Sequence, residues 1–126
     1  MRSSRKGKAE YQRTMIKTDQ VPYLYLTTIG WKSGEPHEIE IWFTTFRDRY
    51  YVISEKRERS HWVQNIRHNP IVAFRIDEHS YTGTARVVEA TDEPDLSQHI
   101  SNLSSAKYDW GDGLVVELTP NQGEAR

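Results

Sequence analysis

Five residues, Gly30-Trp31-Lys32-Ser33-Gly34, set an ammonium and a hydroxyl between two glycines. A glycine at each end lets the backbone turn where a Cβ would clash. A turn carrying an ammonium, a hydroxyl and exposed N–H groups has what an anion needs. The same residues also make an ordinary hairpin turn, and spacing alone leaves both readings open. The longer phosphate loop is ruled out, because its run of glycine, spacer residues and GK[ST] is absent. His37, just beyond the loop, either assists an anion or is a surface histidine. A second basic set, Lys56, Arg57, Arg59 and Arg67, is interrupted by Glu55 and Glu58. It reads as a solvated charge run, or as an anion clamp where a helix begins and free N–H groups favour phosphate.

Other chemistries find little support. Cysteine is absent, which excludes disulfides, thiolate catalysis and cysteine-held metals. The five histidines show no dense metal-ligand spacing such as HExxH. No GxSxG elbow activates a serine. Glu38 and Glu40 share a strand face with Trp42, but nothing sets the carboxylate separation that glycoside hydrolysis requires, and pairing with arginines such as Arg75 or Arg86 is the simpler expectation. Tyr108 and Trp110 are either packing residues or a cover for one side of a flat heteroaromatic ligand.

The elements that must position these residues are mostly strands. Tyr23–Ile29 is aromatic, β-branched and leucine-rich, and Glu35–Phe46 alternates with a period near two, so the pair predicts a hairpin about the glycine loop. Further strands are predicted over 50–54, 71–76, 80–90 and 114–118, with turns at Arg47-Asp48-Arg49 and Asp77-Glu78-His79. Trp62, Val63 and Ile66 fall on one face of a helix over 60–68, capped by Ser60 and stopped by Asn69-Pro70. Thr91 or Asp92 is the expected cap of a second helix running to about Leu103, with 104–113 as a loop or short helical turn. Gly83 implies a bend, a bulge or close approach by another backbone. Tight turns join the strands, so the expected arrangement is antiparallel, and a small barrel would hide its edges.

At 126 residues the chain suits one domain. A net charge of −1 gives no bulk attraction to nucleic acid. No apolar run reaches membrane-spanning length and no apolar signal segment follows the basic first residues, which makes a cytoplasmic location the default expectation. Seven Tyr, four Trp and three Phe are many for this core, and some of them suit a cleft or a subunit interface.

The ordered set TTIGWKSGEPHEIEIWF (27–43), YYVIS (50–54), SHWVQNIRHNP (60–70) and YTGTARVV (81–88) resembles the deazaflavin (F420)-dependent nitroreductase family, within the pyridoxamine-phosphate-oxidase-like split β-barrels. The resemblance spreads over roughly residues 22–119. It implies a mainly β fold, a split β-barrel of about six antiparallel strands with two short helices. The chain divides into a polar basic arm whose later residues could form a short helix (1–21), a split-barrel cofactor-binding domain (22–119) and a polar tail (120–126).

Of the family's loop pattern, TTxGRKSG, this chain matches Thr28, Gly30, Lys32, Ser33 and Gly34. Trp31 stands where an arginine is usual, and a tryptophan cannot supply a guanidinium's five donors. His37 stands near the place of a second basic residue. The resemblance thus implies cofactor contacts from Gly30, Lys32, Ser33, Gly34 and His37 around a phosphate, and from Ser54, Glu55 and Lys56 beside the ring. Asn65 and Asn69, with Trp62 and Pro70, match the W..N...NP pattern. Tyr108 is the implied substrate-facing aromatic. The implied activity is hydride transfer between F420 and a quinone or nitro acceptor in a homodimer. FMN in the same barrel is the alternative, and so is a non-catalytic dimer that only binds such a cofactor.

Overall fold

Along Leu24–Ile29 (β1) fully buried residues alternate with half-buried ones, as expected of a strand with one face in a core. The computed structural model describes residues 20–121. The expected basic arm and its helix, apart from Gln20 and Val21, lie outside the described residues, as does the tail beyond Asn121. After β1 come Pro36–Ile41 (β2), Thr44–Phe46 (β3) and Arg49–Ser54 (β4). A 3₁₀ turn at Arg57–Arg59 leads into the helix His61–His68 (α1). Ile71–Ile76 (β5), His79–Val88 (β6), the helix Pro94–Tyr108 (α2) and Leu114–Pro120 (β7) complete the order.

All seven strands join one antiparallel sheet in the order β2-β1-β5-β6-β7-β4-β3. Its two edge strands, β2 and β3, are consecutive in the chain and separated only by Trp42 and Phe43. A sheet whose outermost strands are joined by two residues must curl until its edges meet, which makes it a split barrel. The strands number seven rather than about six because the run over 35–46 breaks at this corner. Its first half pairs with β1 and its second with β4. Phe43 enters the barrel interior while Trp42 turns outward.

The curl creates two cores. Inside the barrel, Leu24, Leu26, Phe43, Val52, Phe74, Val116 and Leu118 pack with Ile66 of α1. On the outer face of β4 and β7, Tyr51, Ile53 and Val115 pack under Ile100 of α2. β7 is therefore buried on both faces from Leu114 to Leu118. Each fully buried aliphatic or phenylalanine side chain contributes roughly 1.5–3 kcal/mol relative to exposure.

Several local expectations are refined. Arg47 and Asp48 both have positive φ, the signature of a two-residue hairpin turn between Phe46 and Arg49. Gly83 is a close backbone approach, since a Cβ there would strike the Thr119 carbonyl. The second helix starts later and runs further than its sequence suggests. Glu93, rather than Thr91 or Asp92, occupies the cap position, with Pro94 in the first turn. No breaker interrupts the helix until Asp109 adopts the left-handed conformation and ends it. Ser101 and Ser104 then donate hydrogen bonds to the Gly111 and Trp110 carbonyls, fastening the exit. Arg86 donates to Glu117 and Glu93 instead of to Glu38 or Glu40, and the guanidinium of Arg75 lies over the ring of Tyr25. Among the described residues no helix is long and apolar enough to cross a membrane.

Candidate functional site

The β1–β2 loop is a turn closed by its own hydrogen bonds. The Gly30 N–H donates to the Glu35 carbonyl and the Gly34 N–H to the Gly30 carbonyl, while Ser33 Oγ accepts from the Glu35 N–H. The Trp31 N–H donates to Asn65 Oδ1 at 3.1 Å. Among the described residues, Lys32 and Ser33 carry the loop's two uncommitted backbone donors. His37 lies against them, its Nε2 3.4 Å from Ser33 Oγ. A Cβ on Gly30 would come within 2.5 Å of that hydroxyl and 2.9 Å of that imidazole nitrogen. Gly30 therefore keeps clear the space in which the Ser33 hydroxyl and the His37 imidazole meet.

Asn65 fixes this loop to α1. Its side chain is 5% exposed, accepts from Trp31 N–H and donates to Thr28 Oγ1 at 3.0 Å. The side chain is thus spent on protein, and it acts on the loop from behind. Trp31 itself stacks on His68 at 4.2 Å between centroids, with the Lys32 ammonium over the indole.

A second polar corner forms where β4 ends. Ser54 is buried, and its hydroxyl bridges the Arg57 carbonyl and Ser60 Oγ. Ser60 sits at the cap position of α1, yet its hydroxyl is engaged with Ser54 and makes no bond to the helix. The first N–H groups of α1 are consequently left without a side-chain cap, next to Lys56 and Arg59. Arg57 holds a positive φ in this turn and reaches away to Asp112.

Both corners open on one cavity of about 1210 Å³. Its walls include Gly30, Lys32, Ser33 and His37 from the first corner, and Ser54, Glu55, Lys56 and Arg59 from the second. Asn65 and Trp62 line its floor, and Ile41, Trp42, Ile53 and Trp110 give it an apolar end. Eight of the ten residues singled out as cofactor contacts meet there. Gly34 and Asn69 do not. Gly34 turns the loop at φ +74°, and Asn69 Oδ1 accepts from the Ile71 N–H at the end of α1.

Tyr108 also stands outside the cavity walls. Its ring stacks beneath Trp42, and its hydroxyl faces the carbonyls of Pro22 and Phe43. Burial raises its pKa, against a lowering influence from the backbone hydrogen bond at Phe43. Trp42 was readable only as a member of the Glu38–Glu40 strand face, because its partners, Tyr108 and Trp110, lie more than sixty residues away.

A family model for F420H(2)-dependent quinone reductase matches residues 2–113. No curated protein matches the chain. Among solved structures, HutZ, a heme storage protein from Vibrio cholerae, superposes with a TM-score of 0.73 at 16% identity, covering 89% of this chain and 90% of that one. An F420-H2 dependent reductase, FDR-A, is similar at a TM-score of 0.60 and 21% identity over 77% of this chain and 92% of that one. Another F420 reductase gives 0.64 at 17% identity over 84% and 91%. At these identities the structural likenesses establish the fold alone.

Proposed function

The chain belongs to the F420H(2)-dependent quinone reductase family, and from that premise we propose that it transfers a hydride between F420 and a quinone or nitro compound. The observation that carries this reading is the single cavity with anion-competent donors at one end and a tryptophan-lined apolar end at the other. An F420-dependent oxidoreductase is what the family match and the F420-reductase neighbours support.

The residues fit a phosphorylated tricyclic ring. Lys32, Ser33 and His37 would hold the phosphate, with the uncommitted N–H groups of Lys32 and Ser33 adding two donors of fixed direction. Ser54 would shape the turn that brings Glu55 and Lys56 beside the ring. Lys56, Arg59 and the uncapped start of α1 suit further negative charge, as helix amino termini do. When bound, reduced F420 supplies the hydride, and a solvent proton completes the reduced acceptor. The protein's part is to hold cofactor and acceptor in register. Tyr108 is poorly placed to give that proton, since its hydroxyl is turned to backbone carbonyls.

Titration of the purified protein with F420 tests the proposal, with binding expected by tens of micromolar and turnover on a quinone or nitroaromatic. Absence of binding overturns it. A yellow protein with a flavin spectrum would mean FMN in the same barrel, and binding without turnover a non-catalytic cofactor carrier. We also propose a homodimer, supported by the exposed Trp31 and Ile71 near the carboxyl end of α1. Sedimentation as a monomer at micromolar concentration would contradict that.

A further inference from the structure

Where α2 packs on β3, two buried hydroxyls line one small space. Thr44 opens β3 directly opposite Tyr51 of β4, whose ring lies in the core under α2. Residues directly opposite in an antiparallel pair share a face, so the Thr44 side chain also points beneath α2. Ser104 comes down from the helix to meet it. The two residues are 6% and 4% exposed, and both line a cavity of about 10 Å³ whose other walls are mostly aromatic. Among the described residues, Thr44 Oγ1 is a buried side-chain oxygen that no protein group meets. A hydroxyl left dry in such surroundings forfeits the bonds it made to solvent when unfolded. Ser104 Oγ gives its proton to the Trp110 carbonyl and keeps its lone pairs free to accept. The Tyr51 hydroxyl gives its proton away from this space, to Glu117.

We propose that this space is a binding site for a single water molecule, held between Thr44 Oγ1 on β3 and Ser104 Oγ on α2. Its volume is about what one water needs and leaves room for nothing larger. A void lined only by apolar groups stays dry, but this one carries two hydroxyls, the smallest partner set that retains a buried water. Donors and acceptors match without rearrangement. The water gives one proton to Ser104 Oγ, whose own is spent, and pairs through its remaining capacity with the Thr44 hydroxyl. Thr44 and Ser104 make no direct bond to each other, so the water completes a polar contact between helix and strand that neither side chain reaches alone. Trp42, Ile53 and Trp110 border both this space and the large cavity, which places a hydrated joint behind its apolar wall. The site stands whether or not the large cavity takes a cofactor.

The test uses the full chain, and its first readout is a sign. Thr44→Val keeps the β-branch and removes only the hydroxyl. With a water in place, the change deletes its anchor and should lower Tm by about 3–6 °C. A dry, unpaired hydroxyl gives the opposite sign, because a methyl group there removes a buried polar atom that nothing satisfies. Ser104→Ala also costs the Trp110 carbonyl its donor, so it is read in a double-mutant cycle with Thr44→Val. Through a shared water the double variant should lose several degrees less than the sum of the two single variants. A Tm that holds or rises in Thr44→Val overturns the site, and strict additivity overturns the bridge. A high-resolution crystal structure of the parent chain decides the matter even if a variant does not fold. It should show one water about 2.7–2.8 Å from both oxygens. Thr44 Oγ1 bonded to a protein group instead, or no density between the two hydroxyls, overturns the proposal.

Discussion

The two ends of the cavity are each held by one polar side chain reaching from a helix, but by opposite means. At the loop end, Asn65 of α1 is buried and donates and accepts toward Thr28 and Trp31. At the apolar end, Tyr108 of α2 grips backbone groups of Phe43 and Pro22 while its ring carries Trp42. The first arrangement fixes where backbone donors point, and an error of direction there costs a full hydrogen bond. The second fixes where a surface lies, and a small shift costs part of a stack. The loop end should therefore be brittle and the apolar end tolerant.

The largest expected effect comes from breaking the brittle end. Asn65→Ala leaves a part-buried N–H and a buried hydroxyl without partners, which should cost about 2 kcal/mol of stability. The same change frees the loop, so F420 affinity should fall by at least about tenfold. Urea denaturation and F420 titration check the two halves. If stability falls while affinity holds, the loop does not depend on its tie to α1 and the comparison fails.

Glu117 supplies a polar node that serves neither end. Its carboxylate is buried between β6 and β4, where burial opposes ionisation, but hydrogen bonds from Arg86 and Tyr51 and the nearby charge of Arg49 outweigh that and lower its pKa. A depressed carboxylate pKa means that the folded state binds its proton less readily than the unfolded state. Its stabilisation is present above the ordinary carboxylate pKa and is lost as pH falls through that range toward the folded pKa. Melting followed from about pH 6 to about pH 3 should show a steeper loss for the parent than for Glu117→Gln, which should itself be less stable by about 1–2 kcal/mol at neutral pH. F420 affinity at neutral pH should be unmoved. A change there would mean that the ends are coupled through the sheet.

Lys32 tests what the loop end is for. Lys32→Ala removes the loop's fixed charge and should weaken F420 binding about tenfold, the worth of one charge-assisted hydrogen bond. It should also flatten the salt dependence of binding and leave the quinone KM alone, because the ammonium lies near Trp31 at the other end from Trp42. Equal losses for both ligands would erase the division of the cavity.

How much of this could be read from the chain follows the range of the interactions. β5 is placed residue for residue by its run of β-branched and aromatic residues before a turn, and α1 to within a residue by its periodicity and its Asn-Pro stop. Local signals suffice for both. The break at Trp42-Phe43 was invisible, since an alternating run does not say that its two halves pair with different strands. The polar corners were legible as lists of residue types and illegible as networks. Ser60 reads as a helix cap, but Ser54 takes its hydroxyl. Asn65 reads as a cofactor contact, but its amide is used on Thr28 and Trp31, thirty-seven and thirty-four positions away. Tyr108 carries the right chemistry for a substrate contact, but its ring is stacked against Trp42 and stands outside the cavity walls.

The smallest effects come from the loop's two glycines, and they divide stability from binding within five residues. Gly34 holds φ +74° with nothing within 4 Å of a Cβ added there. Gly34→Ala is then a purely conformational change, costing about 1 kcal/mol for a left-handed non-glycine residue. F420 affinity should change less than about twofold, because no donor moves. Gly30 has no positive φ to relieve, but its new Cβ would press on the Ser33 hydroxyl at 2.5 Å and the His37 ring at 2.9 Å. Both are exposed side chains that can swing away, so the melting temperature should barely respond. They are also the groups assigned to the phosphate, and F420 affinity should drop severalfold, a fraction of the roughly 1.4 kcal/mol that a tenfold change represents. The reverse pattern, Gly34→Ala hurting binding and Gly30→Ala hurting only stability, would place the anion on the far side of the loop from His37.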